Sequence, residues 1–169
     1  TWFDEVADDV EKAAFRIALA VFNGAQVTEV QQAAQALARL LRPETTESKP
    51  SAEAPAFVSP FKRDTLSTKL ASARARLVER PTVREYSDRA LVKVVELEDE
   101  SYSSALLTHI WGYIELRPTI LEWLCEHATH APLDMRLRAA GALGALASLD
   151  FEVITRRAFL KWANVDIDD

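Results

Sequence analysis

The sequence is poor in the residues that disulfide-bonded and membrane proteins need. Its 169 residues include one cysteine, one methionine and four glycines. A single cysteine excludes an internal disulfide and fits a reducing compartment, so we expect a cytoplasmic location. The longest apolar stretch, Ala139–Leu149, is far shorter than the roughly 18 residues that a membrane span requires. The composition therefore predicts a globular protein with no membrane segment.

Sequence motifs for catalysis and nucleotide binding are also missing. There is no Gly-x-x-x-x-Gly-Lys-Ser/Thr loop, no His-Glu-x-x-His helix and no serine-centred nucleophile elbow. Cys125, His127 and His130 are residue types that zinc accepts, but no fourth ligand is evident nearby. Cys125 falls on the apolar stripe of a predicted helix, which favours a buried hydrophobic role over metal binding or nucleophilic catalysis. We therefore expect no enzyme activity, no metal and no cofactor.

The charge is distributed unevenly along the chain. Residues 1–61 carry a net charge of −4, residues 62–93 carry +5 and residues 94–169 carry −7, within a total of −6. The basic segment predicts contacts with an anionic partner, or docking onto the acidic flanks of its own chain. The candidate contact residues are Arg74, Arg76, Arg80, Arg84, Arg89 and Lys93.

The first segment has the periodicity of two amphipathic helices. Apolar residues recur at helical spacing over 4–22 and 29–41, and Asn23-Gly24 supplies a stop between the two helices. We interpret residues 1–42 as a helical hairpin. Residues 43–61 contain four prolines mixed with serine, threonine and glutamate, and are expected to form a linker.

The middle segment, residues 62–117, changes from helical to strand periodicity and back. A helix over 65–80 is expected to face inward with Leu66, Leu70, Ala73 and Leu77. The residues that follow are rich in Val, Thr, Tyr and Leu, which predicts a β-hairpin and then a further helix. Its strands are placed at 82–86 and 90–97, its turn at 87–89, and the helix at 102–115. Helix, hairpin and helix in this order are winged-helix-like.

The last segment, residues 118–169, contains a helical repeat. Ile120–Leu124 is echoed by Phe159–Ala163, and the two tryptophans lie 39 residues apart, close to the period of two-helix solenoid repeats. Pro118 suits the first turn of one helix, and Asp150 can cap the last one. The alanines and glycines between them predict close approach of neighbouring helices. The predicted fold class is mainly α, with antiparallel helix hairpins in a HEAT-like stack and one inserted β-hairpin.

The repeat segment resembles the HEAT family of helical repeats. Asp134–Ala140, followed by Leu143–Leu146, is similar to that family's Asp-x-x-Val-Arg-x-Ala-Ala…Leu-Gly pattern, with Leu137 in place of the usual valine. The resemblance implies that an Asp and an Arg here bridge neighbouring repeats. The residues in these places are Asp134, Arg136 and Arg138. Only about one and a half repeats are present, whereas a solenoid needs about three. Either the upstream helices complete the stack or the native protein is longer, and we expect a fragment of a larger protein.

A broader resemblance covers residues 65–163. The order of helix, β-hairpin, helix and HEAT-like helices is similar to the winged-helix and superstructure tail of bacterial STAND-type signalling ATPases. The residues that carry this resemblance are Ala105–Trp111, Arg117 and Trp123-Leu124. Such tails sense or relay signals, while their ATP site lies elsewhere.

These observations predict a non-catalytic interaction or regulatory module of a bacterial signalling protein, which displays helix faces to a protein partner or a neighbouring domain. The first alternative is a winged-helix-like nucleic-acid binder that uses the basic residues of segment 62–93, since phosphate contacts need surface lysine or arginine. The second alternative is an enzyme or a metal protein.

Overall fold

The structure is a computed structural model that describes residues 9–42, 65–84 and 87–160. In these ranges the protein is mainly α with one antiparallel β-hairpin, which confirms the predicted fold class. The elements are α1 (Val10–Val21), α2 (Val27–Leu41), α3 (Leu66–Ser72), β1 (Ala75–Arg84), β2 (Ser87–Leu97), α4 (Ser101–Trp111), a 3-10 turn (Ile114–Leu116), α5 (Arg117–His130), α6 (Leu133–Ala147), and α7 (Phe151–Ile154) continued by a π-helical turn (Thr155–Phe159). The predicted linker and Trp162 lie outside the described residues.

Helices α1 and α2 form the predicted hairpin. The Asp9 carboxylate accepts a hydrogen bond from the Lys12 backbone N–H at 3.1 Å and so caps α1. Every residue from Ala13 to Val21 is buried, because α2, α4, α6 and β2 all pack against this helix. The chain then reverses at Gly24, whose φ of 82° is open to glycine without steric cost.

Strand β2 lies between β1 and the loop that joins α1 to α2. The Gly24 N–H donates to the Val95 carbonyl at 2.7 Å, and the Val95 N–H donates to the Ala25 carbonyl at 3.0 Å. The Leu97 N–H donates to Asn23 Oδ1 at 2.8 Å. The base of the β-hairpin is therefore fixed to the first helical hairpin by backbone hydrogen bonds.

The predicted helix over 65–80 is wrong in its second half. α3 ends at Ser72 and Arg74 adopts a φ of 50°, which turns the backbone out of the helix and into β1. Leu77 was expected to face a helical core, but it lies on β1 and is 41% exposed. The predicted three-residue turn is also wrong, because β2 already begins at Ser87. The pairing of β1 with β2 outweighed the helical periodicity of this segment.

The second half of the chain is a run of packed helices. Arg117 opens α5 with Pro118 in its first turn, as predicted, and the short connection Ala131-Pro132 leads back into α6. Asp150 caps α7, since its carboxylate accepts a hydrogen bond from the Val153 N–H at 3.3 Å, also as predicted. The apolar spacing of Phe151, Ile154 and Ala158 predicts that all three face inward, but this is wrong for Phe151, because its side chain is 69% exposed.

One hydrophobic core joins residues from both sides of the predicted boundary at residue 42. Trp123 is 1% exposed, and its indole N–H donates to the Ala33 carbonyl of α2 at 3.0 Å. Its ring packs edge-on against Phe22 with 5.5 Å between the ring centroids. Arg16 of α1 is also buried and donates to the Ser72 carbonyl at the end of α3, at 2.6 Å. Helices α1 and α2 thus pack into the same core as the later segments.

Candidate interaction surface

Helix α6 has two faces of different character. Its buried side carries Met135, Ala139, Ala142, Leu143 and Leu146, which pack toward α5, α4, α1 and α7. At 3.6 residues per turn, the opposite side is a single exposed stripe. We give the name α6 face to six residues of this side: Leu133, Leu137, Ala140, Gly141, Gly144 and the C-terminal cap Ser148. Asp134, Arg136 and Ala145 of the same helix are also exposed and flank these six.

The six residues of the α6 face carry no charge, and the exposed Asp134 and Arg136 flank them. Leu133 and Leu137 are 62% and 64% exposed, whereas fully burying a leucine is worth about 1.5–3 kcal/mol. Beyond the end of the helix, Leu149 and Phe151 are 50% and 69% exposed. A contiguous exposed apolar surface on a small protein marks a site of contact with another molecule.

Among the described residues, nothing gives a steric reason for the two glycines of the α6 face. A Cβ atom built on Gly141 or Gly144 meets no atom within 4 Å, so the fold leaves room for a side chain at both positions. Glycine in the middle of a helix is less stable than alanine by roughly 0.5–1 kcal/mol. The described residues do not require glycine at either position, and close approach of another backbone is one role that glycine can serve there.

Helix α5 provides an internal comparison, because its outward side has ordinary surface chemistry. Glu122 and Glu126 are both exposed there, and Glu126 lies 3.4 Å from His130. A solvated helix face of this kind needs no partner. α6 carries a comparable surface pair, Asp134 with Arg138, so the two helices differ mainly in the leucines and glycines that α6 exposes.

The predicted bridging residues lie beside the α6 face. Arg138 pairs with Asp134 of its own helix at 2.9 Å, and its guanidinium also donates to the Asn23 carbonyl. Arg138 thus joins α6 to the loop between α1 and α2. The resemblance to HEAT repeats implied a bridge to a neighbouring repeat instead. Arg136 is exposed, on the border of the α6 face.

Three of the six predicted basic contact residues, Arg74, Arg76 and Arg80, contact other side chains of the chain. Arg76 and Arg80 both pair with Glu96 across the sheet. Arg74 donates to the Tyr102 hydroxyl at 2.9 Å. Lys93 is exposed and stands opposite Glu79 in the register of the two strands. The backbones of Arg84 and Arg89 belong to the hairpin, but their side chains are not among those described.

The predicted Cys–His cluster is dispersed over two sides of α5. Cys125 is half-buried, and His127 Nδ1 lies 2.8 Å from the Trp123 carbonyl. His127 and His130 line a groove of about 420 Å³ between α2, α5 and α6, together with Glu29 and Glu126. Across the described ranges, no group of three or more His, Cys, Asp or Glu side chains is placed to hold a metal ion.

A second groove, of about 390 Å³, lies between α1, α2 and α3. Its lining includes Arg39, Arg42 and Lys69, and Arg42 pairs with Glu11 at 3.0 Å. Phe15 contributes buried apolar surface to its floor. This groove has room for a small anionic group, but it holds none of the residues that the sequence analysis singled out.

Asn23 and the α6 face are the two features whose roles the sequence analysis missed. Asn23-Gly24 was interpreted only as a helix stop. The sequence signal for a further hydrogen-bonding role was that asparagine carries a side-chain acceptor at a tight turn. The small residues of α6 were expected to pack against neighbouring helices of the chain. In the structure Ala140, Gly141, Gly144 and Ala145 are exposed, and a Cβ built on either glycine meets no atom of the described residues within 4 Å.

No family model, curated protein or solved structure matches this chain. In the part of the chain that the structure describes, no helix combines the length and apolar character needed to cross a membrane.

Proposed function

We propose that this chain is a non-catalytic, regulatory helical module that binds a protein partner through the α6 face. The observation that carries the proposal is a stripe of exposed, uncharged residues, flanked by Asp134 and Arg136, with two glycines that the described residues do not require. Helix faces with small residues let a second backbone approach closely, so that a partner's larger side chains can pack against the open positions.

The surrounding structure supports a scaffold role for the chain. α5, α6 and α7 pack in succession, as in the HEAT-like arrangement that the sequence resembles, and the core anchors them on α1, α2 and α4. We place the module in the bacterial cytoplasm as part of a STAND-type signalling protein. The support for this context is the resemblance in residues 65–163 and the single, half-buried cysteine.

The proposal is tested by site-specific crosslinking in cells that express the chain. A photoreactive residue replaces Leu137 on the α6 face, or Glu122 on the outward side of α5 as a matched control. We expect a defined protein to crosslink to position 137 and not to position 122. Equal capture at both positions, or no capture at position 137, would contradict the proposal.

Nucleic-acid binding is the second candidate, because one observation favours it. Along the chain come α1, the loop that pairs with β2, then α2, α3, β1 and β2, and β2 lies between that loop and β1. This arrangement is winged-helix-like, and it covers more of the chain than the segment predicted from the sequence. The charges argue against it. Arg76 and Arg80 are paired with Glu96, and the exposed residues of α3 are Ser67, Thr68 and Ala71, which carry no charge.

Fluorescence anisotropy with a labelled 20-base-pair DNA decides between the two candidates. We expect no binding at low salt. Binding that weakens steeply with salt, and is lost in the Arg84→Glu, Arg89→Glu variant, would favour the nucleic-acid binder instead.

A further inference from the structure

We propose that the groove between α1, α2 and α3 binds a small organic phosphate. This groove is separate from the α6 face, so the proposal does not depend on the protein contact proposed above. Its volume of about 390 Å³ lies within the range of about 300–1,000 Å³ that small-molecule sites occupy. Arg39, Arg42 and Lys69 give its lining positive charge, and Glu11 is the one acidic side chain among the described residues of the lining.

The cations of this groove lack enough anionic partners. Within the described ranges, Arg39 and Lys69 pair with no carboxylate, and Arg42 pairs only with Glu11, at 3.0 Å. Three positive side chains and one negative side chain leave the lining with a net charge of +2, in a chain whose total charge is −6. Like charges that share a groove repel each other, and a bound anion removes this repulsion.

The fold holds these cations on two different walls of the groove. Arg39 and Arg42 are three residues apart on α2, so their side chains are neighbours on one helix surface. Lys69 comes from α3, which is fixed to α1 because the buried Arg16 donates to the Ser72 carbonyl at 2.6 Å. An anion in the groove therefore meets positive charge from α2 and from α3.

A phosphate monoester matches this charge better than a carboxylate does. It carries a charge of about −1.5 to −2 at pH 7 and presents three strong acceptor oxygens, whereas a carboxylate carries −1. Guanidinium groups donate two parallel N–H bonds to phosphate, and the lysine ammonium adds a point charge. The Arg42–Glu11 pair can yield to such a ligand, because its side chains are 60% and 45% exposed and exposed ion pairs contribute little stability.

The rest of the lining favours a phosphate that carries an organic group. Phe15 and Ala38 are buried and give the groove an apolar floor, while Gln31 and Gln35 offer amide donors and acceptors. A phosphate group alone fills only part of the groove. We therefore expect a small phosphate ester to bind more tightly than inorganic phosphate.

Titration of the ¹⁵N-labelled chain, followed by NMR at constant ionic strength, tests the proposal. The probes are phenyl phosphate, inorganic phosphate and benzoate. We expect phenyl phosphate to cause saturable shifts of the backbone amides around Gln35, Arg39 and Lys69, with a Kd on the order of 0.1–1 mM for a ligand of this size. Inorganic phosphate and benzoate should each bind about tenfold more weakly, because one lacks the ring and the other lacks the second negative charge.

Two substitutions with a matched control locate the site. Arg39→Gln and Lys69→Gln should each weaken phenyl phosphate binding by about three- to tenfold, because each removes a charge-assisted contact. Arg156→Gln is the control, since Arg156 is exposed on the π-helical turn, pairs with Glu152 and causes the same change in net charge. It should leave the Kd unchanged, and circular dichroism confirms that each variant is folded.

Glu11→Gln gives a result of the opposite sign. It removes the carboxylate that competes for Arg42, so phenyl phosphate should bind more tightly to this variant than to the wild type. Weaker binding to Glu11→Gln would overturn the proposal, and so would the absence of saturable shifts at about 20 mM phenyl phosphate, well above the expected Kd. Equal weakening by Arg39→Gln and Arg156→Gln would show a response to net charge in place of a site. Benzoate binding as tight as that of phenyl phosphate would overturn the assignment of phosphate.

Discussion

Trp123 connects the later helices to the first helical hairpin, and its replacement by phenylalanine measures that connection. Phenylalanine removes the indole N–H that donates to the Ala33 carbonyl, which costs about 1 kcal/mol as a net hydrogen bond. The lost ring atoms leave a cavity of about 40 Å³, worth about 1 kcal/mol, because the site is 1% exposed and tightly packed. The lost ring atoms also no longer contribute their free energy of transfer from water to the core, which adds about 1 kcal/mol. The free energy of unfolding should therefore fall by about 3 kcal/mol.

Urea unfolding followed by far-ultraviolet circular dichroism gives this difference. Trp111→Phe is the matched control, since Trp111 is 5% exposed and its indole N–H has no hydrogen-bond partner among the described residues. Its replacement should cost about 1 kcal/mol less than that of Trp123. A Trp123→Phe effect no larger than the Trp111→Phe effect would refute the reasoning. So would two separate unfolding transitions, because a shared core predicts one.

Two further predictions follow from hydrogen bonds near α1. Asn23→Ala leaves the Leu97 N–H without its acceptor and should lower the free energy of unfolding by about 1–3 kcal/mol, whereas Asn23→Asp keeps an acceptor and should cost less. Equal losses in the two variants would show that the side-chain acceptor is unimportant. Asp9→Ala should cost about 1 kcal/mol at pH 7 through loss of the α1 cap. Although burial raises the pKa of Asp9, hydrogen bonds and the charge of Lys12 outweigh it and lower that pKa below 3.8. Because this pKa is lowered in the folded state, the ionised Asp9 carboxylate stabilises the fold fully above pH 3.8, and this stabilisation disappears as the pH falls through the lowered pKa. The stability difference between wild type and Asp9→Ala should therefore narrow in acid; a constant difference from pH 7 to pH 2 would contradict this.

The helices were predictable where a local signal determined them. Pro118 favours the first turn of α5 because its ring fixes φ at a helical value, and Asp150 starts α7 because its side chain caps the helix. Both effects act on adjacent backbone. The boundary between α3 and β1 was not predictable in this way. Leu77 continues the helical spacing of its segment, and only pairing with a strand 18 residues later in the sequence places it on β1.

The candidate site was only partly predictable for a related reason. The composition of α6 showed that close helix contacts were possible, but it did not show which side of the helix the rest of the chain would cover. That side was decided by the packing of Ala139, Leu143 and Leu146 against other helices. The role of Arg138 likewise depends on a loop 115 residues earlier, which no local pattern indicates.

The most direct test of the central claim is the yield of crosslinking from position 137 in a Gly141→Ala, Gly144→Ala variant. Because both added methyl groups enter open space, the variant should be more stable than the wild type, by about 0.5–1 kcal/mol for each substitution. Since the same groups occupy the surface that a partner approaches, the crosslinking yield should fall despite the higher stability. An unchanged yield would contradict the assignment of the α6 face as the recognition surface.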